Sequence, residues 1–293
     1  WPLVERVFNE CRSSDVVMQE ACHCIGTVIS VARTHATPVV APYLQILLNC
    51  FSNTPTIFHL GSVRTITGLY GQGPGGEGLR PLLCDVLGSL GSQILQRVQN
   101  PRFIHEQPDL VGMYFDTLAC GLYAPPLAML ILQQEWIKQV IALALELVPE
   151  CHHPKVQCAI LLCISRLTGW VGRALPPHFM PVATLSKALI DQCLGPLLAV
   201  VCQCLAARAS SNAQSVPLIA NILLSLLVLP QGKPALEAAL KQVSEAYMTE
   251  QDKVTFYERC FEEAGDPRGF ASLINDTAAA CTAQWMKTAE RGQ

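Results

Sequence analysis

The run VPLIANILLSLLVLP (Val216–Pro230) decides how this chain is read, because it is almost wholly aliphatic and lies in a stretch, 209–232, that carries no charge. A membrane-spanning helix needs about 20 consecutive apolar residues. This run is shorter, is interrupted by Asn221 and Ser225, and is bounded by Pro217 near its start and Pro230 at its end. The apolar stretch before it, Leu194–Ala207, is likewise broken by Gly195, Pro196 and Gln203. A helix enclosed by neighbouring helices on nearly all sides accounts for the pattern, and no membrane contact is expected.

Outward from this run, apolar residues recur at helical spacing and nothing alternates as a strand for more than a few residues. Trp1-Pro2 opens a short helix to about Cys11, and Ser13-Ser14-Asp15 caps a second from Val16 to about Thr34. Thr37-Pro38 starts a third, Val39–Cys50, and the cluster Ser52-Asn53-Thr54-Pro55 leads into a fourth, Ile57–Tyr70. A glycine-rich segment, Gly71–Gly78, reads as a flexible linker before a helix over Leu79–Gln99. Gln107-Pro108-Asp109 begins the next, which runs to about Tyr123, where Pro125-Pro126 closes the unit. Further helices are predicted over Glu135–Leu147, Lys155–Val171, Val182–Arg208, Val216–Leu229, Pro234–Met248, Asp252–Glu263 and Pro267–Lys287, with breaks at Pro149–Pro154, Pro176-Pro177 and a Ser/Asn loop at 209–215.

Pairs of helices therefore start near residues 2, 38, 79, 135, 182 and 234, a spacing of 36 to 56 residues. HEAT-type antiparallel helix pairs repeat at roughly 40–47 residues, with insertions adding to that. One pair cannot cover its own apolar stripe, so pairs stack into a superhelix with a continuous core. The predicted fold is thus all-α, a HEAT-repeat superhelical solenoid of antiparallel helix pairs. Its inner helices are covered on several sides, which explains why 51% of residues are apolar and only 15% charged, where average domains carry about a quarter charged residues.

The net charge of −3 gives no global basic field for nucleic acid, so no direct nucleic-acid contact is expected. Basic and acidic residues balance through Pro230, and residues 231–293 carry all the negative excess. The expected organisation is therefore HEAT-type repeats over 1–230, closed by acidic capping helices over 231–293 of the same solenoid. Deleting that cap should expose the aliphatic helix Val216–Leu229. Between Ala21 and Gly76 the only charged residues are Arg33 and Arg64, so any outer face there is built from uncharged polar side chains.

Most of the fourteen cysteines sit inside apolar helical runs, where a free thiol behaves as a small hydrophobe. This implies a reducing compartment, cytosol or nucleus. Cys22-His23-Cys24 and Cys202-Gln203-Cys204 are too tightly spaced for neighbouring helical side chains to meet one ion, and Cys151-His152-His153 with Cys158 lacks the second C-x-x-C of a strong zinc signal. No metal is expected. Gly71-Gln72-Gly73-Pro74-Gly75-Gly76 formally contains G-x-G-x-x-G but follows a helix rather than a strand, so no cofactor is expected either. No nucleophile signature surrounds any cysteine, and the chain does not read as an enzyme. Asn275-Asp276-Thr277 is a formal glycosylation site that the reduced-thiol composition sets aside.

Particular stretches carry more than a repeat pattern. They are Trp1-Pro2-Leu3 with its helix, Phe58-His59-Leu60-Gly61-Ser62-Val63 leading to Tyr70-Gly71, Gln107-Pro108-Asp109-Leu110-Val111 with Phe115 and the Pro125-Pro126 break, and the tail Phe256-Tyr257-Glu258-Arg259 with Asp266, Phe270, Leu273 and Asp276. Together and in order they resemble the C-terminal part of the importin-β (karyopherin-β) family, in the branch of transportin-three and importin-thirteen. The resemblance implies a nuclear transport receptor, shuttling between cytoplasm and nucleus, that binds protein cargo on a concave face, meets nucleoporins, and releases cargo to Ran-GTP. The family's Ran contacts lie mainly in an N-terminal region that this chain would lack, and its start at Trp1 reads as a piece of something longer. A HEAT-repeat structural scaffold without Ran-dependent transport is the alternative.

The transportin-SR type carries an arginine-rich helix for phosphorylated cargo. Its arginine positions fall here on Val16, Glu20, His23, Gly26 and Ser30, none of them arginine. Because the guanidinium fork is what reads phosphate, this departure points to different cargo. On the same helix Gln19, His23, Thr27 and Ser30, at i, i+4, i+8 and i+11, form one polar stripe, either the candidate cargo-facing surface or a solvated face.

Overall fold

The computed structural model describes residues 2–73, 75–100, 102–151, 153–171, 175–207 and 214–291. Trp1, Pro74, His152, the expected helix end at Arg208 and most of the 209–215 loop lie outside them. The fold is all-α: no strand occurs among the described residues. Helices start at 2, 37, 80, 136, 180 and 232, each within two residues of an expected pair start. The chain divides into two compact units, Trp1–Val140 and Ile141–Gln293, so the change in charge density near 230 falls inside the second.

The first unit contains α1 (Pro2–Glu10), α2 (Asp15–Ala32), α3 (Thr37–Asn53), α4 (Ile57–Tyr70), α5 (Arg80–Val98), α6 (Phe103–Glu106), α7 (Pro108–Tyr123) and α8 (Pro125–Leu132). Its helices pack in two rows. In one, α1 lies against α3, α3 against α5 and α5 against α8; in the other, α2 lies against α4 and α4 against α7. Within each pair the rows meet, α1 with α2, α3 with α4 and α5 with α7. Buried aromatic and aliphatic side chains fill the seam. Phe8 meets Tyr43 edge-on at 5.9 Å and Tyr114 meets Phe115 at 5.5 Å, geometry that adds to plain area burial.

Glycines set the closest approaches in this unit. A Cβ on Gly88 of α5 would come within 2.6 Å of Trp136 Nε1, and one on Gly121 of α7 within 2.9 Å of Ile131 Cδ1. Pro125 and Pro126 do not stop the chain. They occupy the first turn of α8, where proline's missing N–H is no loss, so a helix stands where the sequence was read as a closing break.

Helix α9 (Trp136–Glu150) crosses the boundary between the units and keeps Pro149 in its last turn. The second unit continues with α10 (Pro154–Thr168), α11 (Met180–Ala207), α12 (Ser215–Leu227), α13 (Gly232–Leu240), α14 (Glu250–Glu262) and α15 (Pro267–Arg291). Here α10 packs on α12 and α12 on α15, while α11 packs on α13. Ser186 donates to the Leu167 carbonyl at 2.6 Å, tying α11 to the end of α10. The aliphatic helix α12 buries Ile219, Ile222, Leu223 and Leu226 completely, with α15 as one of its covers. Helix α13 ends at Leu240, short of the Met248 expected, because residues 241–249 form turns that lead into the Thr249–Asp252 capping box of α14.

By length and composition Pro177–Ala207 is apolar enough to cross a membrane, and 61% of its apolar window is buried inside the protein. A core helix has the same composition. The sequence α7–α8 passes the same test only as a pair bent by 112°.

Candidate functional site

Helix α2 begins at Ser14, whose hydroxyl accepts the Val17 N–H, with Asp15 in the first turn favouring the positive end of the helix dipole. Met18, Cys22 and Ile29 form its buried face and seat it on α4. It ends where Arg33 takes a left-handed φ of 46°. The Tyr70 hydroxyl, at the far end of α4, donates to the Arg33 carbonyl and pins the two helix ends together.

Between α2 and α4 runs an open groove of about 510 Å³. All four residues of the expected polar stripe, Gln19, His23, Thr27 and Ser30, line it. Sequence reading missed its other wall, to which α4 contributes Phe58, Gly61, Ser62 and Thr65, at i, i+3, i+4 and i+7, and α7 contributes Met113. That spacing was the available signal, hidden because the set mixes apolar, small and hydroxyl side chains.

The floor is rigid. Ser62 is buried and its hydroxyl accepts from Tyr43 at 3.2 Å, and Cys22 sits beside this pair. Burial raises the Cys22 thiol above its ordinary range, with hydrogen bonds to Ser62 and Tyr43 pulling the other way. Burial also raises the Tyr43 phenol, so neither is a nucleophile. The Thr65 hydroxyl donates to the Gly61 carbonyl at 3.0 Å.

Below the groove His59 is almost fully enclosed, with its ring near Phe8 and Phe51. Thr56 reaches Nδ1 at 3.2 Å, while Nε2 has no partner among the described residues. Burial lowers this imidazole to about 4, and the ring is a neutral part of the core.

The glycine-rich segment after α4, expected as a flexible linker, makes several hydrogen bonds at its described residues. Arg80 donates to the carbonyls of Gly71 and Gly73, each at 3.1 Å, and the Glu77 carboxylate accepts the Gly75 N–H at 3.0 Å. A phosphate cradle needs converging N–H groups. Here carbonyls converge on a guanidinium, the opposite polarity.

All fourteen cysteines are free thiols, and nine of them are buried. Burial pushes Cys163 and Cys202 up to about 12. Cys24, expected to be buried in an apolar run, is exposed instead. Cys151 bonds the His153 carbonyl at 3.8 Å, and among the described residues no three His, Cys, Asp or Glu side chains come together where they could hold a metal ion.

No family model matches the chain, and no curated protein matches it.

Proposed function

We propose that this chain is the C-terminal, cargo-binding part of a nuclear transport receptor of the importin-β family, a solenoid of HEAT-type helix pairs that is not an enzyme. The observation that carries the reading is the two-row pairing of the first unit, in which α2, α4 and α7 follow one another and open the groove containing Gln19, His23, Thr27 and Ser30. Successive pairs that cover one another's apolar faces are what a repeat array requires. In such an array the row holding α2, α4 and α7 is the inner one, facing cargo.

On this reading the partners are protein cargo, Ran-GTP through a region N-terminal to this chain, and nucleoporins. Nucleic acid and membrane are not partners, no cofactor is needed, and the protein shuttles between cytoplasm and nucleus. The experiment is a pull-down with the full-length receptor, with and without Ran-GTP. Transport predicts a set of bound proteins that Ran-GTP releases. Partners that stay bound identify the alternative, a structural scaffold built from the same repeats.

A further inference from the structure

Glycine within a helix is destabilising relative to alanine, and Gly88, Gly91 and Gly121 have a packing reason for it, because each lies against a neighbouring side chain that an added Cβ would strike. Gly26 on α2 and Gly61 on α4 have none. A Cβ at either position meets nothing within 4 Å, neither has a positive φ, and both line the same groove. Gly195 in the second unit is also open, beside Pro196. At Gly26 and Gly61 the fold tolerates a destabilising residue that widens the groove.

We infer that this groove receives an uncharged segment of a partner polypeptide, with one large apolar side chain seated over Gly26 and Gly61. The inference deepens the cargo reading and rests on it for its cellular meaning. None of the residues lining the groove is Asp, Glu, Lys or Arg. The nearest basic side chain on α4, Arg64, is engaged by Asp116 at 2.7 Å. A carboxylate, ammonium or phosphate docked here would give up water and find no Asp, Glu, Lys or Arg in the lining to pair with.

Gln19, His23, Thr27 and Ser30 offer hydrogen-bond donors and acceptors along one wall, suited to amide and hydroxyl groups of a partner chain. Val31, Phe58 and Met113 supply the apolar contact for the central side chain. A volume of about 510 Å³ leaves room for one such side chain and its flanking backbone. The groove therefore selects by exclusion as much as by attraction, and phosphorylated segments are among those it rejects.

The test is selection of short random phage-displayed peptides on the immobilised 293-residue chain, with the double variant Gly26→Leu/Gly61→Leu as counter-selection. The open space at both positions lets the leucines fill the groove without moving the fold, which a circular-dichroism melt no lower than that of the native chain verifies. Peptides kept by the native chain and lost by the variant are expected to share one large apolar residue with no Asp, Glu, Lys or Arg beside it. A fluorescein-labelled consensus peptide should bind each single variant at least about tenfold more weakly, and lose a similar factor when a flanking residue is replaced by phosphoserine. Thr27→Asp, which leaves both glycines in place, should weaken it likewise and decides the matter if the leucine variant melts early. A charged consensus, or no peptide that distinguishes native from variant, overturns the inference. Ran plays no part in this assay, so a groove that passes it while Ran-GTP releases nothing retires only transport, and Ran-dependent release with a failed selection retires only the groove.

Discussion

Two glycine-to-alanine substitutions that look alike in sequence should move stability in opposite directions. Gly61 and Gly91 both lie inside helices, where alanine is favoured by about 0.5–1 kcal/mol. At Gly61 the new methyl meets open space, so the full gain is expected, a rise in melting temperature of roughly 1–4 °C for a unit of this size. At Gly91 the same methyl runs into Tyr114 Oη and comes within 3.3 Å of Val140 Cγ2. The Tyr114 ring is fully buried and packed edge-on to Phe115, so it cannot swing aside. Overpacking of this kind costs about 1–3 kcal/mol, which outweighs the helix gain and leaves Gly91→Ala less stable by up to about 2.5 kcal/mol. Urea unfolding followed by far-UV circular dichroism reads both, as shifts in midpoint at unchanged slope. If Gly91→Ala unfolds at or above the native midpoint, or Gly61→Ala below it, the distinction between a packed and an open glycine is wrong, and with it the account of why the groove is wide.

Two further outcomes follow from buried groups. His59 is held at about 4 against an ordinary 6.5, so the unfolded chain takes up the extra proton between those values. The contribution of the neutral ring is complete above pH 6.5 and is lost as pH falls toward 4, by up to roughly 3 kcal/mol; His59→Phe should flatten that part of the stability profile, and an unchanged profile would refute the assignment. In native buffer a thiol reagent should label Cys24 first and the buried cysteines only after unfolding, since Cys24 is the one exposed cysteine; rapid labelling of Cys163 or Cys202 would contradict their burial.

Much of the fold was legible because helix punctuation is local. Ser14 before α2, Thr37-Pro38 before α3 and the Ile57–Tyr70 periodicity each mark an element by backbone chemistry alone. Pro125-Pro126 misled because proline is compatible with both the end of one helix and the first turn of the next. Residues 241–249 misled because their helix-compatible composition gave way to the capping box at Thr249. One wall of the groove was readable as a polar stripe on a single helix. The other was not, since which face of α4 meets α2 is set by tertiary packing, and the meaning of Gly26 and Gly61 depends on neighbours that sequence order does not reveal.

The most direct test of the transport reading is linkage in the full-length receptor. If Ran-GTP and the groove partner compete through one conformational equilibrium, saturating Ran-GTP should weaken binding of a groove-selected peptide or cargo by about tenfold or more, and that partner should weaken Ran-GTP binding by the same factor. Equal affinities with and without Ran-GTP would contradict the reading and leave a helical-repeat scaffold in its place.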